Sequence, residues 1–187
     1  MNYHNITKDD MLNGEGLRVV LWVSGCSHHC KNCHNPITWD PNDGLPFDEA
    51  AKAELFEELE KPYISGITLS GGDPLYCSNR AAIADLVKEI KTHFPEKTIW
   101  LYTGYTWEAI SGLLFLPYID VLIDGKFVEG LKDTKLHWRG SSNQRIIDVK
   151  ASLEQDKVIL HEEDQPERKI QIQSFSINCK TPTTLSF

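Results

Sequence analysis

The chain has no excess of basic residues, no long apolar run and no even set of cysteines. Lys and Arg total 19 against 27 Asp and Glu in 187 residues, a net charge of −8. General nucleic-acid binding needs a basic surface, so that class is excluded. Only a local basic patch can meet an acidic protein partner, and Lys126, Lys132, Lys135 and Arg139 are its candidates. The most apolar stretch, Ile110 to Ile123, is broken by Ser111, Gly112, Pro117 and Asp120. It falls short of the roughly 20 residues of a membrane span, so no membrane is expected. Met1 to Asp10 is polar, with no signal-peptide pattern, and the expected location is the cytoplasm. Five cysteines, an odd count without export signals, argue against a disulfide framework and for metal or redox use.

Three of those cysteines fall together. Cys26, Cys30 and Cys33 form a C-x3-C-x2-C pattern directly after the apolar run Leu17 to Val23, while Cys77 and Cys179 stand alone and read as incidental thiols. Leu17 to Val23 is too short for a helix and rich in β-branched residues, hence a strand. Further along, Phe47 to Glu60 reads as a helix, Ile64 to Ser70 as a strand, Asn79 to Thr92 as a helix and Thr98 to Tyr102 as a strand. Thr106 is placed to cap a short helix carrying Trp107, Ile110 and Leu114. Ile119 to Ile123 is the next strand, and Ile146 to Val149 is one more candidate. Alternating strands and helices predict βαβ units and a parallel sheet.

The cysteine loop, Gly71-Gly72-Asp73-Pro74, Thr103-Gly104-Tyr105 and Asp124-Gly125-Lys126 each follow the carboxyl end of a strand. In barrels and open α/β sheets that edge carries the ligands. There are too few strands for an eight-fold barrel. The expected fold is therefore α/β, an open partial (β/α) barrel with a mostly parallel sheet. Residues 1–150 form the main domain. From 151 to 187 the texture changes to an extension without an assigned role, in which 158–160 and 170–173 are strand candidates.

Three thiolates fit a four-iron cluster with one iron left open, or a structural zinc completed by His34, His28 or His29. The later motifs bear on that choice. Cys26-x3-Cys30-x2-Cys33 resembles the signature of the radical S-adenosylmethionine (SAM) superfamily, and Gly71-Gly72-Asp73-Pro74 resembles its Gly-Gly-Glu-Pro motif, with Asp in place of Glu. Asn32 stands where many members carry an aromatic residue. Cys33 to Trp39, Ser70 to Leu75, Tyr102 to Tyr105, Val121 to Phe127 and Trp138 to Arg145 together are similar to the activating proteins of anaerobic ribonucleoside-triphosphate reductases. The resemblance covers about Met1 to Val149, and Arg139 to Gln144 is its most family-specific part.

The resemblance implies a [4Fe-4S] cluster on Cys26, Cys30 and Cys33, with SAM on the open iron. Reductive cleavage of SAM would yield a 5′-deoxyadenosyl radical, which would take a hydrogen from a glycine of the partner reductase, with reduced flavodoxin or a similar donor supplying the electron. The implied SAM contacts are Asn32, Cys33 and His34 near the adenine, Gly71, Gly72 and Asp73 near the amino group, and Asp124 with Lys126. Asp73 can instead hold its own turn, and Asp124-Gly125 can be a plain hairpin turn. The five tryptophans read as packing residues. Rival readings are an activase of another glycyl-radical enzyme such as pyruvate formate-lyase, a radical SAM enzyme acting on a small molecule, and a zinc-stabilised binding module. If Arg139 to Arg145 serves the pocket or the partner's docking face, Asn143→Ala is expected to lower activation of the reductase more than thermal stability. Parallel loss of both would discard that assignment.

Overall fold

The computed structural model describes residues 1–162. Among these residues seven strands form one open sheet in the order β3-β1-β2-β4-β5-β6-β7. The four central strands, β2 (Leu17–Val23), β4 (Ile64–Gly71), β5 (Thr98–Tyr102) and β6 (Val121–Asp124), are parallel. They are flanked by antiparallel neighbours, β1 (Asn2–Asp10) against β2 and β7 (Arg145–Asp148) against β6, and the short β3 (Leu45–Pro46) pairs with β1. The sheet does not close: β3 and β7 are its two ends. Among the described residues no helix is long and apolar enough to cross a membrane.

The central strands are continuous apolar runs because both of their faces are covered. On one face Val19, Leu21, Ile67, Leu69, Ile99 and Leu101 share a core with helix α1 (Glu49–Glu60) through Leu55 and Leu59, and with helix α2 (Arg80–His93) through Ile83, Val87 and Ile90. A second cluster on the sheet joins Trp100, Val121, Ile123 and Ile146 with Tyr102 and Trp138. Trp138 meets Trp100 edge-on, with ring centroids 4.8 Å apart.

Arg18 interrupts the apolar run of β2 and is fully buried. Its five N–H groups all find neutral acceptors: Thr68 Oγ1 at 2.8 Å, the Ile67 carbonyl at 2.6 Å, the Glu15 carbonyl at 3.0 Å, Thr98 Oγ1 at 2.9 Å and the Thr98 carbonyl at 3.0 Å. The guanidinium also lies over Trp100 at 5.2 Å, and burial pulls its pKa down to about 10.

Several boundaries move from those expected, each for a local reason. Helix α1 begins at Glu49 because Asp48 caps it, accepting from the N–H groups of Ala50 and Ala51. Phe47 lies before the cap and packs edge-on against Tyr3 instead. Helix α3 is only Trp107–Ile110; Thr106 makes no capping bond, and Leu114 is 93% exposed rather than on an apolar face. Strand β6 begins at Val121. The strand expected at 158–160 is reduced to an isolated bridge between Leu160 and Ile147. Helix α4 (Val149–Glu154) runs through the expected boundary at 150. The strand expected at 170–173 lies outside the described residues.

Strand β4 tolerates no side chain at Gly66, where a Cβ would stand 1.9 Å from the Thr98 carbonyl oxygen of the next strand. Gly66→Ala is expected to cost about 3 kcal/mol, because a backbone oxygen in a central ladder cannot step aside. Urea unfolding that gave a loss within the range of surface substitutions would contradict this close packing.

Candidate functional site

The loops that follow β2, β4, β5 and β6 meet at the carboxyl edge of the sheet, as parallel pairing requires. The cysteine loop is anchored at its base by backbone bonds: Gly25 N–H to the Thr38 carbonyl at 2.8 Å and Cys26 N–H to the Trp39 carbonyl at 3.0 Å. Gly72 N–H reaches the Val23 carbonyl and Asp73 N–H the Gly25 carbonyl, both at 2.8 Å. Gly71 has φ +108°, and a Cβ there would stand 2.6 Å from Val23 backbone atoms. A Cβ on Gly72 would stand 2.5 Å from the Gly25 carbonyl oxygen. These two glycines thus permit close approach of β4 to the cysteine loop itself.

Cys26, Cys30 and Cys33 are half-buried free thiols. Burial pushes the Cys26 thiol up to about 11, against a hydrogen bond from the His28 backbone. Burial also raises Cys30, opposed first by the positive charge of Lys126. Cys33 Sγ accepts from the Asn35 N–H at 3.4 Å. Among the described residues no three His, Cys, Asp or Glu side chains are grouped as a site for a single metal ion. The donor set fits a cluster by its chemistry: three half-buried sulfurs on one loop, whose charged form calls for compensating metal charge.

Asp73 is 1% exposed. Its Oδ1 accepts from the Leu75 N–H at 2.8 Å, and its Oδ2 accepts from the Gly104 N–H at 3.1 Å. Thr103 Oγ1 lies 3.0 Å from both oxygens, and His28 Nε2 lies 2.6 Å from Oδ2. Asp124 is equally buried. Its Oδ2 accepts from the Trp107 N–H at 2.8 Å, replacing the cap expected of Thr106, and both its oxygens bond to Arg145. Arg145 in turn forks onto Glu108, with both distances 3.1 Å. So neither carboxylate stands free toward the cysteines; each ties loops together.

Lys126 is exposed. Its carbonyl accepts from Asn143 Nδ2 at 2.9 Å, and the Gly125 carbonyl accepts from Gln144 Nε2 at 3.0 Å. Gln144 Oε1 also receives the Gly140 and Ser141 N–H groups, and Arg139 Nη1 donates to the Gln144 carbonyl. The segment Arg139 to Gln144 is thereby a frame that carries the Lys126 loop. Asn32 has φ +54°, and its side chain donates to Glu129, which also pairs with Lys31 at 2.9 Å. His34 is exposed and, with Asn35, lines a cavity of about 290 Å³ beside His4, Asn5, Thr7 and Trp22. Cys77 is exposed, and Cys179 lies outside the described residues.

Sequence reasoning missed Glu129, Arg145 as the partner of Asp124, and the role of β1 in this cavity. The inward Tyr3 and Ile6 are three positions apart, out of strand alternation, because the register shifts between Tyr3 and Asn5.

Residues 12–147 match the family described as a 4Fe-4S single cluster domain. The proteins similar to this chain include several named anaerobic ribonucleoside-triphosphate reductase-activating protein. The one from Enterobacteria phage T4 is 51% identical over 146 residues, 78% of this chain and 93% of its own length. Those from Vibrio cholerae and Escherichia coli K12 are each 45% identical, covering 78% and 77% of this chain and 97% and 96% of their own lengths. The chain belongs to the family of anaerobic ribonucleoside-triphosphate reductase-activating proteins.

Arg145 gives a test of this scaffold. Its hydrogen bonds hold Glu108 down to about 2, below the unfolded value of 4.5, so the pair stabilises above the ordinary carboxylate range and its contribution is lost as pH falls toward 2. At neutral pH Arg145→Gln is expected to cost about 3 kcal/mol, because Asp124 is left buried without its counter-charge. Acidification from about pH 4.5 to 2 should then destabilise wild type more than the variant. Parallel acid unfolding curves would remove the ion pair from the account.

Proposed function

We propose that this chain is a radical SAM activase that places a glycyl radical on an anaerobic ribonucleoside-triphosphate reductase. The observation that carries the reading is the meeting of three free, half-buried thiols on one loop with the Gly71-Gly72-Asp73 turn at the carboxyl edge of a sheet. The family supports the cluster and the target named for its relatives. The strand order supports a partial barrel. Successive parallel strands lie side by side, with α1 and α2 packed into one core, as in the winding of a barrel left open.

In this reading Cys26, Cys30 and Cys33 hold three irons of a [4Fe-4S] cluster. When bound, the cluster and SAM supply the electron transfer and carbon–sulfur cleavage that produce the hydrogen-abstracting radical. The chain's own residues bind and orient. Gly71 and Gly72 bring β4 against the cysteine loop, and their backbone oxygens would meet the SAM amino group. Asn32 and His34 flank Cys33 and would offer backbone contact to the adenine. Lys126 lends positive charge beside Cys30 and favours its thiolate. Asp73 and Asp124 act by fixing loops, and the latter sets the base from which Lys126 projects. No general acid or base is required. Lys126, Lys132 and Lys135, exposed near the frame, form the patch for an acidic electron donor such as reduced flavodoxin. Residues 151–187 are an extension beyond the matched region, and the cytoplasm is the compartment that suits an oxygen-sensitive cluster.

Anaerobic purification is expected to give a brown protein containing iron and acid-labile sulfide, and Cys26→Ala, Cys30→Ala or Cys33→Ala should each lose that iron. With SAM, a reductant and the reductase, 5′-deoxyadenosine and an electron paramagnetic resonance doublet of a glycyl radical should appear together. A colourless protein with zinc and no sulfide would overturn the reading. So would a radical on pyruvate formate-lyase in place of the reductase, or SAM-dependent product formed from a small molecule without a protein partner.

A further inference from the structure

We infer that Asp73 is a positioning residue for the cysteine loop: its carboxylate holds His28, and through His28 the base of the loop, before any cofactor binds, and makes no bond to the cofactor. The inference rests on the reading above only in that this loop is the cluster's seat.

A carboxylate has two oxygens and about four good positions for donors. At Asp73 those positions are filled by the Leu75 and Gly104 N–H groups, the Thr103 hydroxyl and His28 Nε2. With 1% of the residue exposed, no oxygen is left to meet a ligand. The donors come from three different connections: Leu75 from the loop after β4, Thr103 and Gly104 from the loop after β5, and His28 from the cysteine loop after β2.

His28 is fixed on its other sides too. A Cβ on Gly104 would stand 2.4 Å from the imidazole Cδ2, so the ring lies flush on that glycine. Tyr105 meets the ring edge-on at 4.8 Å. His28 follows Cys26 by two residues on the same loop. A continuous path therefore runs from the Asp73 carboxylate through the imidazole and its backbone to the first cysteine. Ligand contact by Asp73 would require giving up a charge-assisted bond or a buried N–H partner, either of which leaves an unsatisfied group. The second bond system at Asp73, its N–H to the Gly25 carbonyl, fixes the same loop from below.

The test uses the full chain without cofactor under native conditions. Iodoacetamide labelling is followed at each cysteine by mass spectrometry in wild type, Asp73→Asn, Thr103→Val and Leu55→Ala. Leu55 is a buried residue of α1 and serves as the reference for general destabilisation. Asp73→Asn should raise labelling of Cys26 and Cys30 about tenfold or more, the factor that corresponds to one lost charge-assisted hydrogen bond. Thr103→Val should move the same two sites in the same direction by a smaller factor. Cys77, already exposed, should not change, and Leu55→Ala at an equal or larger drop in melting temperature should leave Cys26 and Cys30 near wild type.

After anaerobic reconstitution with iron and sulfide, Asp73→Asn should load less iron, while SAM affinity per cluster stays within about twofold of wild type. Unchanged labelling in Asp73→Asn overturns the inference, as does equal labelling in Leu55→Ala. Full iron loading with weakened SAM affinity also overturns it, since that is the mark of a cofactor ligand. Should wild type itself take up no iron and sulfide, the proposed function fails while the labelling comparison still decides the role of Asp73.

Discussion

The structure depends on one seam of main chain, where the turn after β4 lies directly against the start of the cysteine loop. Gly72 and Asp73 donate their N–H groups to Val23 and Gly25, and no Cβ fits at either glycine. Parallel pairing of β2 with β4 brings the two strand ends to the same edge, and the missing side chains let them touch. Because the contact is between backbones, its geometry does not depend on rotamers. A loop of twelve residues, 24–35, costly to order by side chains alone, thus starts from a fixed footing.

Above that seam the site is organised by buried carboxylates. Asp73 joins the connections after β2, β4 and β5; Asp124 joins the end of β6 to α3 and β7. Each is in a water-poor setting where a lost partner is expensive, so each demands its full set of donors. The family-specific segment works in the same manner with neutral groups: Gln144 and Asn143 hold the carbonyls of Gly125 and Lys126. Three loops at this edge of the sheet are therefore held by residues already bonded within the chain.

Much of this was legible in the chain. The four central strands, both long helices and the gathering of the special loops at one edge follow from apolar period and from Gly and Pro punctuation. The cysteine spacing pointed to the four-iron family that the chain matches. What could not be read was which polar side chains face one another. Nothing local links Asp124 to Arg145, 21 positions away, or Asn32 to Glu129, 97 away. Arg18 was hidden for a different reason: a charged residue within an apolar run reads as solvent-facing, whereas here carbonyl oxygens of neighbouring strands and two threonine hydroxyls solvate it. The polar strand β1 escaped because its inward residues are few and a bulge breaks their alternation.

The cysteine loop is gripped unequally on its two sides. Inside, Asp73 and the backbone seam act in a region shielded from ions. Outside, Glu129 holds Lys31 and Asn32, and the Lys31 side chain is 84% exposed. Exposed charge pairs weaken as salt condenses around them, and buried ones hardly respond. Ionic strength is thus a handle on one edge of the loop alone: salt weakens the Lys31–Glu129 pair beside Cys33 and leaves the footing at Cys26 as it was.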